Sequence, residues 1–360
     1  MLRLRSDVPV GTCLSGGLDS STIVALATAG LNGGRMNSFS AVYPVKGLDE
    51  SRYVDIVSSR FNTIEHRVTP DPADFLARLA KITWHQDIPT GTSGVYTQNF
   101  VMKLAHGNVT VLLDGQGADE LLGGYLSYVV YHLNDLRRRD FGSWLGEQAA
   151  FTAGAWSRFN AALNAREFAF RVREYLTGKQ PLLKPEYVRQ AQAREAEALP
   201  LAPQGVDALN RHLYKALVLE SIPALLHYED RNSMAYSIEA RVPFLDHRLV
   251  EFALGVPAEQ KIRGAETKVF MRRALRDVLP PEISARKDKL GYPTPFGQWL
   301  RGALRNEVDT FLNERVFQRE WYAPERVGQI WRAHLNEERN AERLIYSLIT
   351  ADLWYEQVTA

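Results

Sequence analysis

Over residues 8–113 the chain alternates short apolar runs with amphipathic stretches. Residues 8–14 (VPVGTCL) read as a strand that runs into a glycine-rich turn. Residues 20–29 then repeat apolar positions at helical spacing through Ile23, Val24, Leu26 and Ala27, until Gly30 stops the run. Residues 38–43 predict a second strand, 50–61 a helix with Tyr53, Val54, Ile56 and Val57 on one face, and 64–68 a third strand. Phe75, Leu76, Leu79 and Ile82 mark another helix, and a further one spans 96–105. Residues 109–113 (VTVLL) are apolar on both faces, as a central parallel strand covered by helices is. This alternation predicts a doubly wound, mainly parallel α/β sheet, with ligands bound beyond the carboxyl ends of its strands. After Tyr125 the strand signals fade. The expected division is an α/β domain over 1–130, a helical insertion over 131–205 and a helical remainder over 206–360.

Composition narrows the partners. The chain has 360 residues, enough for about two domains at roughly 150 residues each. Lys plus Arg is 43 against 42 Asp plus Glu, a formal charge of +1, so no global basic field is available to hold nucleic acid. No apolar run approaches the roughly 18 residues that span a bilayer, and the first residues (MLRLRSD) lack a signal-peptide core, so no membrane association and a cytoplasmic location are expected. Cys13 is the only cysteine, which excludes an internal disulfide and a thiolate metal cage, and the eight histidines show no HExxH-like spacing.

Two glycine-rich turns carry the chemistry. The first, Ser15-Gly16-Gly17-Leu18-Asp19-Ser20-Ser21, lies between a predicted strand and a predicted helix. Glycines let backbone N–H groups close on a phosphate, the following helix offers its positive end, and Ser15, Ser20 and Ser21 add hydroxyls. Asp19 repels phosphate unless a cation intervenes, which points to Mg²⁺ bridging it to a polyphosphate. The plainer account is a capping turn with Asp19 or Ser20 as N-cap. Gly11 to Gly16 has Walker A glycine spacing but lacks the Lys-Ser/Thr that must follow. The second turn, Asp114-Gly115-Gln116-Gly117-Ala118-Asp119-Glu120, again joins a buried strand to a helix, and it lacks the third glycine of a dinucleotide fingerprint. Asp119 and Glu120 suit a helix dipole, and beside the first turn they also suit a shared magnesium site.

These residues resemble a known family. SGGLDSS is similar to the pyrophosphate loop of N-type ATP pyrophosphatases. With DGQGADELLGGY, DRNSMAYSIEARVPFLDHRLVEFA, TKVFMRRALRDVLPPEI and RKDKLGYPTPFGQWL, the ensemble resembles the synthetase domain of glutamine-dependent asparagine synthetases. The resemblance implies that ATP activates a carboxylate as an acyl-adenylate, releasing pyrophosphate, before an amine displaces AMP. By position it implies that Ser15, Gly16, Gly17, Asp19, Ser20 and Ser21 hold pyrophosphate, that Asp19 and Asp119 bind magnesium, and that Leu14, Val42, Gly115 and Gln116 border the nucleotide. It further implies that Lys268 is catalytic, neutralising charge on the phosphoryl and acyl oxygens. Arg231, Asn232, Glu239 and Arg241 are candidates for the carboxylate or amine substrate or for structural ion pairs, and Asp246 is equally a helix cap.

Two departures from the family pattern bear on function. Gln116 stands where an acidic residue is common, and a glutamine accepts no proton, so Asp114, Glu120, solvent or the product phosphate are left as acceptors. The sequence begins almost at the first loop, without the glutaminase domain that usually precedes it, and Cys13 reads as a buried strand residue. Glutamine hydrolysis by this chain is therefore not expected. The alternatives are free ammonia, ammonia from a separate glutaminase subunit, a sequence that is a fragment of a longer protein, or a different amine. The leading expectation is asparagine from aspartate. A β-lactam- or macrolactam-forming ligase and a nucleotide-binding paralogue without turnover remain open, as does oligomeric state, homo-oligomer included.

Overall fold

A computed structural model describes residues 2–31, 33–159, 181–194, 205–287 and 292–359. Its chain order begins β1 (Val10–Cys13), α1 (Leu18–Ala29), β2 (Asn37–Ala41), α2 (Ser51–Phe61), β3 (Ile64–Val68), α3 (Phe75–Gln86), α4 (Gly94–Ala105), β4 (Val111–Leu113) and α5 (Ala118–Leu122). A fifth strand, β5 (Glu239–Arg241), follows much later. The five strands form one sheet in the order β3-β2-β1-β4-β5, every neighbouring pair parallel. The chain builds outward from β1 to β3 and then returns to place β4 on the other side of β1, so the strand order reverses between β1 and β4. This is the doubly wound α/β architecture expected from the alternation.

The strands are short and lack a polar face where helices cover both sides. β4 is buried at all three positions, and β1 is buried from Gly11 to Cys13. α1 is buried almost all round, through Leu18, Ile23, Val24, Ala25 and Ala27 together with Ser20, Ser21 and Thr22, because it packs among the sheet, α2 and the helix Pro281–Ser284. Thr22 stays helical by turning its hydroxyl back to the Leu18 carbonyl at 2.7 Å. Neither Asp19 nor Ser20 caps this helix. Gly17 occupies the N-cap with no side-chain bond, and the Ser20 hydroxyl instead donates to the Gly17 carbonyl at 3.3 Å. Asp246 does cap the helix His247–Gly255, accepting the Arg248 N–H at 3.2 Å.

Contacts divide the chain into two units. One comprises 1–70, 97–158 and 201–292 and holds the sheet; the other comprises 71–96, 159–200 and 293–360. The second is helical, built on α3 and the helices Phe296–Arg301, Arg305–Glu314, Pro324–Leu335 and Glu342–Thr359, with Phe75, Tyr96, Phe296 and Tyr346 in its core. The helical insertion expected over 131–205 includes 160–180 and 195–204, which lie outside the described residues; its earlier part contains the helices Val129–Arg139 and Phe141–Phe159. Among the described residues no helix is long and apolar enough to cross a membrane.

One buried ion pair fixes the wall behind the first loop. Glu50, the N-cap residue of α2, accepts from Arg286 at 2.6 Å, with side chains 4% and 2% exposed, and the guanidinium lies 4.0 Å over the Tyr53 ring. Removing the carboxylate takes this partner from a guanidinium in a dry site. Glu50→Ala is therefore expected to lower unfolding free energy by about 3–5 kcal/mol, read as a drop in urea midpoint. An unchanged midpoint would show that the pair contributes nothing.

Candidate active site

β1 and β4 are paired in parallel register, Thr12 opposite Leu113, so the loops that follow them leave the sheet side by side. Their closeness is measured at Gly115, where a Cβ would stand 3.2 Å from the Asp19 Cβ. In the first loop Gly16 has φ +67°, and a Cβ there would lie 2.5 Å from the Tyr53 Cβ, so only glycine fits. Ser15 and Ser20 tie the loop shut. Their hydroxyls are 3.1 Å apart, the Ser20 hydroxyl accepts the Ser15 N–H at 3.2 Å, and the Ser15 hydroxyl accepts the Gly17 N–H at 3.3 Å. Ser21 is fully buried beneath them.

Into this junction Lys268 brings a positive charge from far along the chain. Its Nζ lies 2.6 Å from both carboxylate oxygens of Asp19 and 2.7 Å from Asp119 Oδ1. The lysine side chain is 4% exposed, and burial lowers its pKa while the neighbouring Asp19 carboxylate opposes that shift. Lys268 is the N-cap residue of the helix Val269–Ala274 and sits at φ 55°, left-handed backbone that a lysine rarely adopts and that local packing must hold. Gly124 makes room. A Cβ there would fall 1.8 Å from Asp119 Oδ1 and 2.3 Å from Lys268 Cε.

Glu120, next to Asp119 in α5, turns to other partners. It accepts the Ser221 hydroxyl at 2.7 Å and the Tyr125 hydroxyl at 3.0 Å, and burial with the Glu120 charge pushes the Tyr125 phenol well above its ordinary range. Asp114 is buried, takes the Tyr292 hydroxyl at 2.7 Å, and burial raises its pKa. Cys13 is buried beside it, and burial followed by the Asp114 charge pushes its thiol well up. That is inert chemistry for a thiol.

The remaining sequence candidates lie at different distances from this cluster. Leu14 is almost fully buried, its N–H bonded to the Phe39 carbonyl at 2.9 Å and its carbonyl to the Ser40 hydroxyl at 2.6 Å; the Val42 N–H is bonded to the Val68 carbonyl at 2.9 Å. Gln116 is half-buried in the second loop. Asn232 is committed to carboxamide pairing, donating to Gln98 at 2.9 Å and accepting from Asn99 at 3.3 Å. Glu239 and Arg241 pair with each other at 2.6 Å, and Arg241 also holds the carbonyls of Arg3 and Arg5 at 2.9 Å. Glu239 is 56% exposed, so this pair is a surface bridge rather than a buried one. Arg231 is exposed on the helix Ile222–Met234.

Among the described residues no group of three or more His, Cys, Asp or Glu side chains converges as a metal site. Mg²⁺ in a nucleotide site is held by one or two carboxylates plus substrate phosphates, and two aspartates aimed at one cationic point fit that pattern. Sequence reasoning passed over Tyr125, Ser221, Tyr292 and the steric role of Gly124. The glycine pair after ADELL was the available signal for Gly124.

A parallel sheet with paired glycine-rich loops at the reversal of its strand order defines an α/β protein of the adenine-nucleotide α-hydrolase type. The asparagine synthase family model matches residues 1–356, and the chain belongs to that family, a family of ligases. It is 28% identical to asparagine synthetase [glutamine-hydrolyzing] 1 of Bacillus subtilis, over 98% of this chain and 57% of that protein. It is 32% identical to a putative asparagine synthetase [glutamine-hydrolyzing] of Mycobacterium bovis, over 83% of this chain and 47% of that protein. A more distant relative, 23% identical over 87% of this chain and 53% of its own length, is amidase chry2 of Gibberella zeae. The chain spans about half the length of the curated relatives it matches.

Gly124→Ala tests the tightness of the cluster. The added methyl must displace Asp119 or Lys268, so nucleotide-dependent turnover is expected to fall about a hundredfold, the scale of a roughly 1 Å misplacement in an active site, while circular dichroism stays native. Wild-type turnover in the alanine variant would show that the pair is free to shift.

Proposed function

We propose that the protein is the ATP-pyrophosphatase synthetase portion of a carbon–nitrogen ligase. It activates a carboxylate with ATP as an acyl-adenylate, releases pyrophosphate, and lets an amine displace AMP to form an amide. The substrates proposed first are aspartate and ammonia, giving asparagine. The observation that supports this reading most is the convergence of Asp19, Asp119 and Lys268 between the two carboxyl-end loops, in a chain of this family.

In this mechanism the first N–H groups of α1 and the hydroxyls of Ser15 and Ser20 hold the phosphates that leave as pyrophosphate. Asp19 and Asp119 would hold Mg²⁺, which when bound would supply charge neutralisation at that leaving group. Lys268 presents a buried positive charge where the phosphoryl and acyl oxygens gain negative charge as adenylation proceeds. Cys13 is buried with a raised pKa and offers no thiol nucleophile, so the nitrogen is proposed to arrive as ammonia, free or released by a glutaminase. Gln116 favours a second reading. With no carboxylate at that loop position to take a proton, an intramolecular amine held beside the acyl-adenylate is the nucleophile, and the product is a lactam.

The deciding experiment is carboxylate-dependent ATP/pyrophosphate exchange, beginning with aspartate. Exchange with aspartate, followed by amide formation with ammonium chloride, supports asparagine synthesis. Exchange only with an amino-acyl or peptide carboxylate supports the lactam reading, and ATP binding with no exchange under any carboxylate overturns both. Asp19→Ala and Asp119→Ala are each expected to abolish magnesium-dependent exchange. Lys268→Ala is expected to lower kcat by about 10²–10³-fold with a much smaller change in ATP affinity, because its charge counts mainly in the transition state.

A further inference from the structure

The helix Ile222–Met234 buries Ile222, Glu229, Asn232 and Ser233. Glu229 is the anomaly among them. It is 2% exposed, and neither carboxylate oxygen has a hydrogen-bond partner among the described residues. The charged group acting on it has the wrong sign. Asp114, itself 6% exposed, repels it, and burial together with that repulsion pushes the Glu229 carboxyl well above the ordinary range. Buried carboxyl groups are normally paired or ligated, because isolation in a dry site costs several kcal/mol. Among the described residues, the bonded partners around this pair are neutral polar groups. Tyr292 donates to Asp114 at 2.7 Å, and Asn232, three residues on from Glu229 and so on the same helix face, is already satisfied by Gln98 and Asn99.

Asp114 begins the second loop and adjoins Gly115, the residue packed against Asp19. Asp114 therefore stands at the carboxyl end of β4, one residue from the contact between the loops, and Glu229 lies close enough to feel its charge. We propose that Glu229 and Asp114 form a seat for a cationic primary amine, which donates N–H bonds to the Glu229 oxygens and places its charge between the two carboxyl groups. An ammonium group has donors only and suits the two unbonded Glu229 oxygens. The proposal rests on the adenylating-ligase reading, and there the amine has two sources: the incoming nitrogen substrate, or the α-ammonium group of the carboxylate substrate.

Glu229→Gln tests it by two independent routes. The first is melting temperature. Ammonium chloride is expected to stabilise the wild type more than sodium chloride or tetramethylammonium chloride at equal ionic strength. Glu229→Gln is expected to lose that preference while melting no lower than the wild type without added amine, since an uncompensated buried acid has been removed. The second is kinetic. One KM rises about 10–100-fold with kcat changed less, as for loss of a charge-assisted hydrogen bond. A rise in the nitrogen-substrate KM during amide formation identifies the nucleophile; a rise in the carboxylate KM during pyrophosphate exchange identifies the α-ammonium group. An ammonium effect equal to that of sodium, or one unchanged in Glu229→Gln, overturns the seat, as does a variant in which neither KM moves twofold. If the wild type catalyses no exchange, the ligase reading fails, and the melting comparison still decides the seat.

Discussion

Two aspartates in the first turns of different helices cannot share a partly dry junction without a cation between them. Parallel pairing of β1 with β4 brings Asp19 and Asp119 together, and the charge of Lys268 makes that arrangement tolerable. Much of the surrounding structure serves this contact. Gly115 lets the loops touch and Gly124 leaves space for the lysine stem. Glu50 and Arg286 anchor α2, whose Tyr53 forms the wall against Gly16. Ser221 and Tyr125 hydrogen-bond Glu120, so that the third negative charge near the lysine is held by neutral donors.

Alternation of strand and helix signals was enough to read the sheet as far as β4, because those elements bury whole faces and their composition reflects it. β5 escaped notice for a physical reason. It is three residues long, Glu-Ala-Arg, lies at the sheet edge and pairs its two charged side chains at the surface, so it carries neither an apolar run nor a useful alternation. β4 proved shorter than its apolar run: the Val109 N–H still bonds back to Ala105 of α4, and the ladder with β1 begins beyond it. The loop residues were legible because glycine and acid at a strand–helix junction have few other uses. Lys268 was legible only through family resemblance, since a lysine before a helix is otherwise unremarked and its left-handed backbone is invisible in sequence. Glu229 was missed because its helix is polar on several faces, and only tertiary packing decides which face is dry.

The second loop and its neighbours thus hold acids in three electrostatic conditions. Asp119 has a lysine, Glu120 has neutral hydroxyl donors, and Asp114 faces Glu229 with a phenol, a thiol and backbone N–H groups as its neutral partners. An adenylating ligase has matching needs: a firm grip on a polyanion, a framework that does not titrate, and a place for a positively charged reactant. On this reading, chemical division of labour follows from counter-ion supply, with nearly identical side chains acquiring different tasks from their neighbours.

The interleaving of the two contact units has an evolutionary corollary. Neither unit is one continuous stretch of chain, so a crossover between related genes anywhere between 71 and 292 would join part of each unit to a foreign complement. Diversification of such a scaffold is confined to point substitution, to growth within surface loops, and to the gain or loss of whole modules at either end.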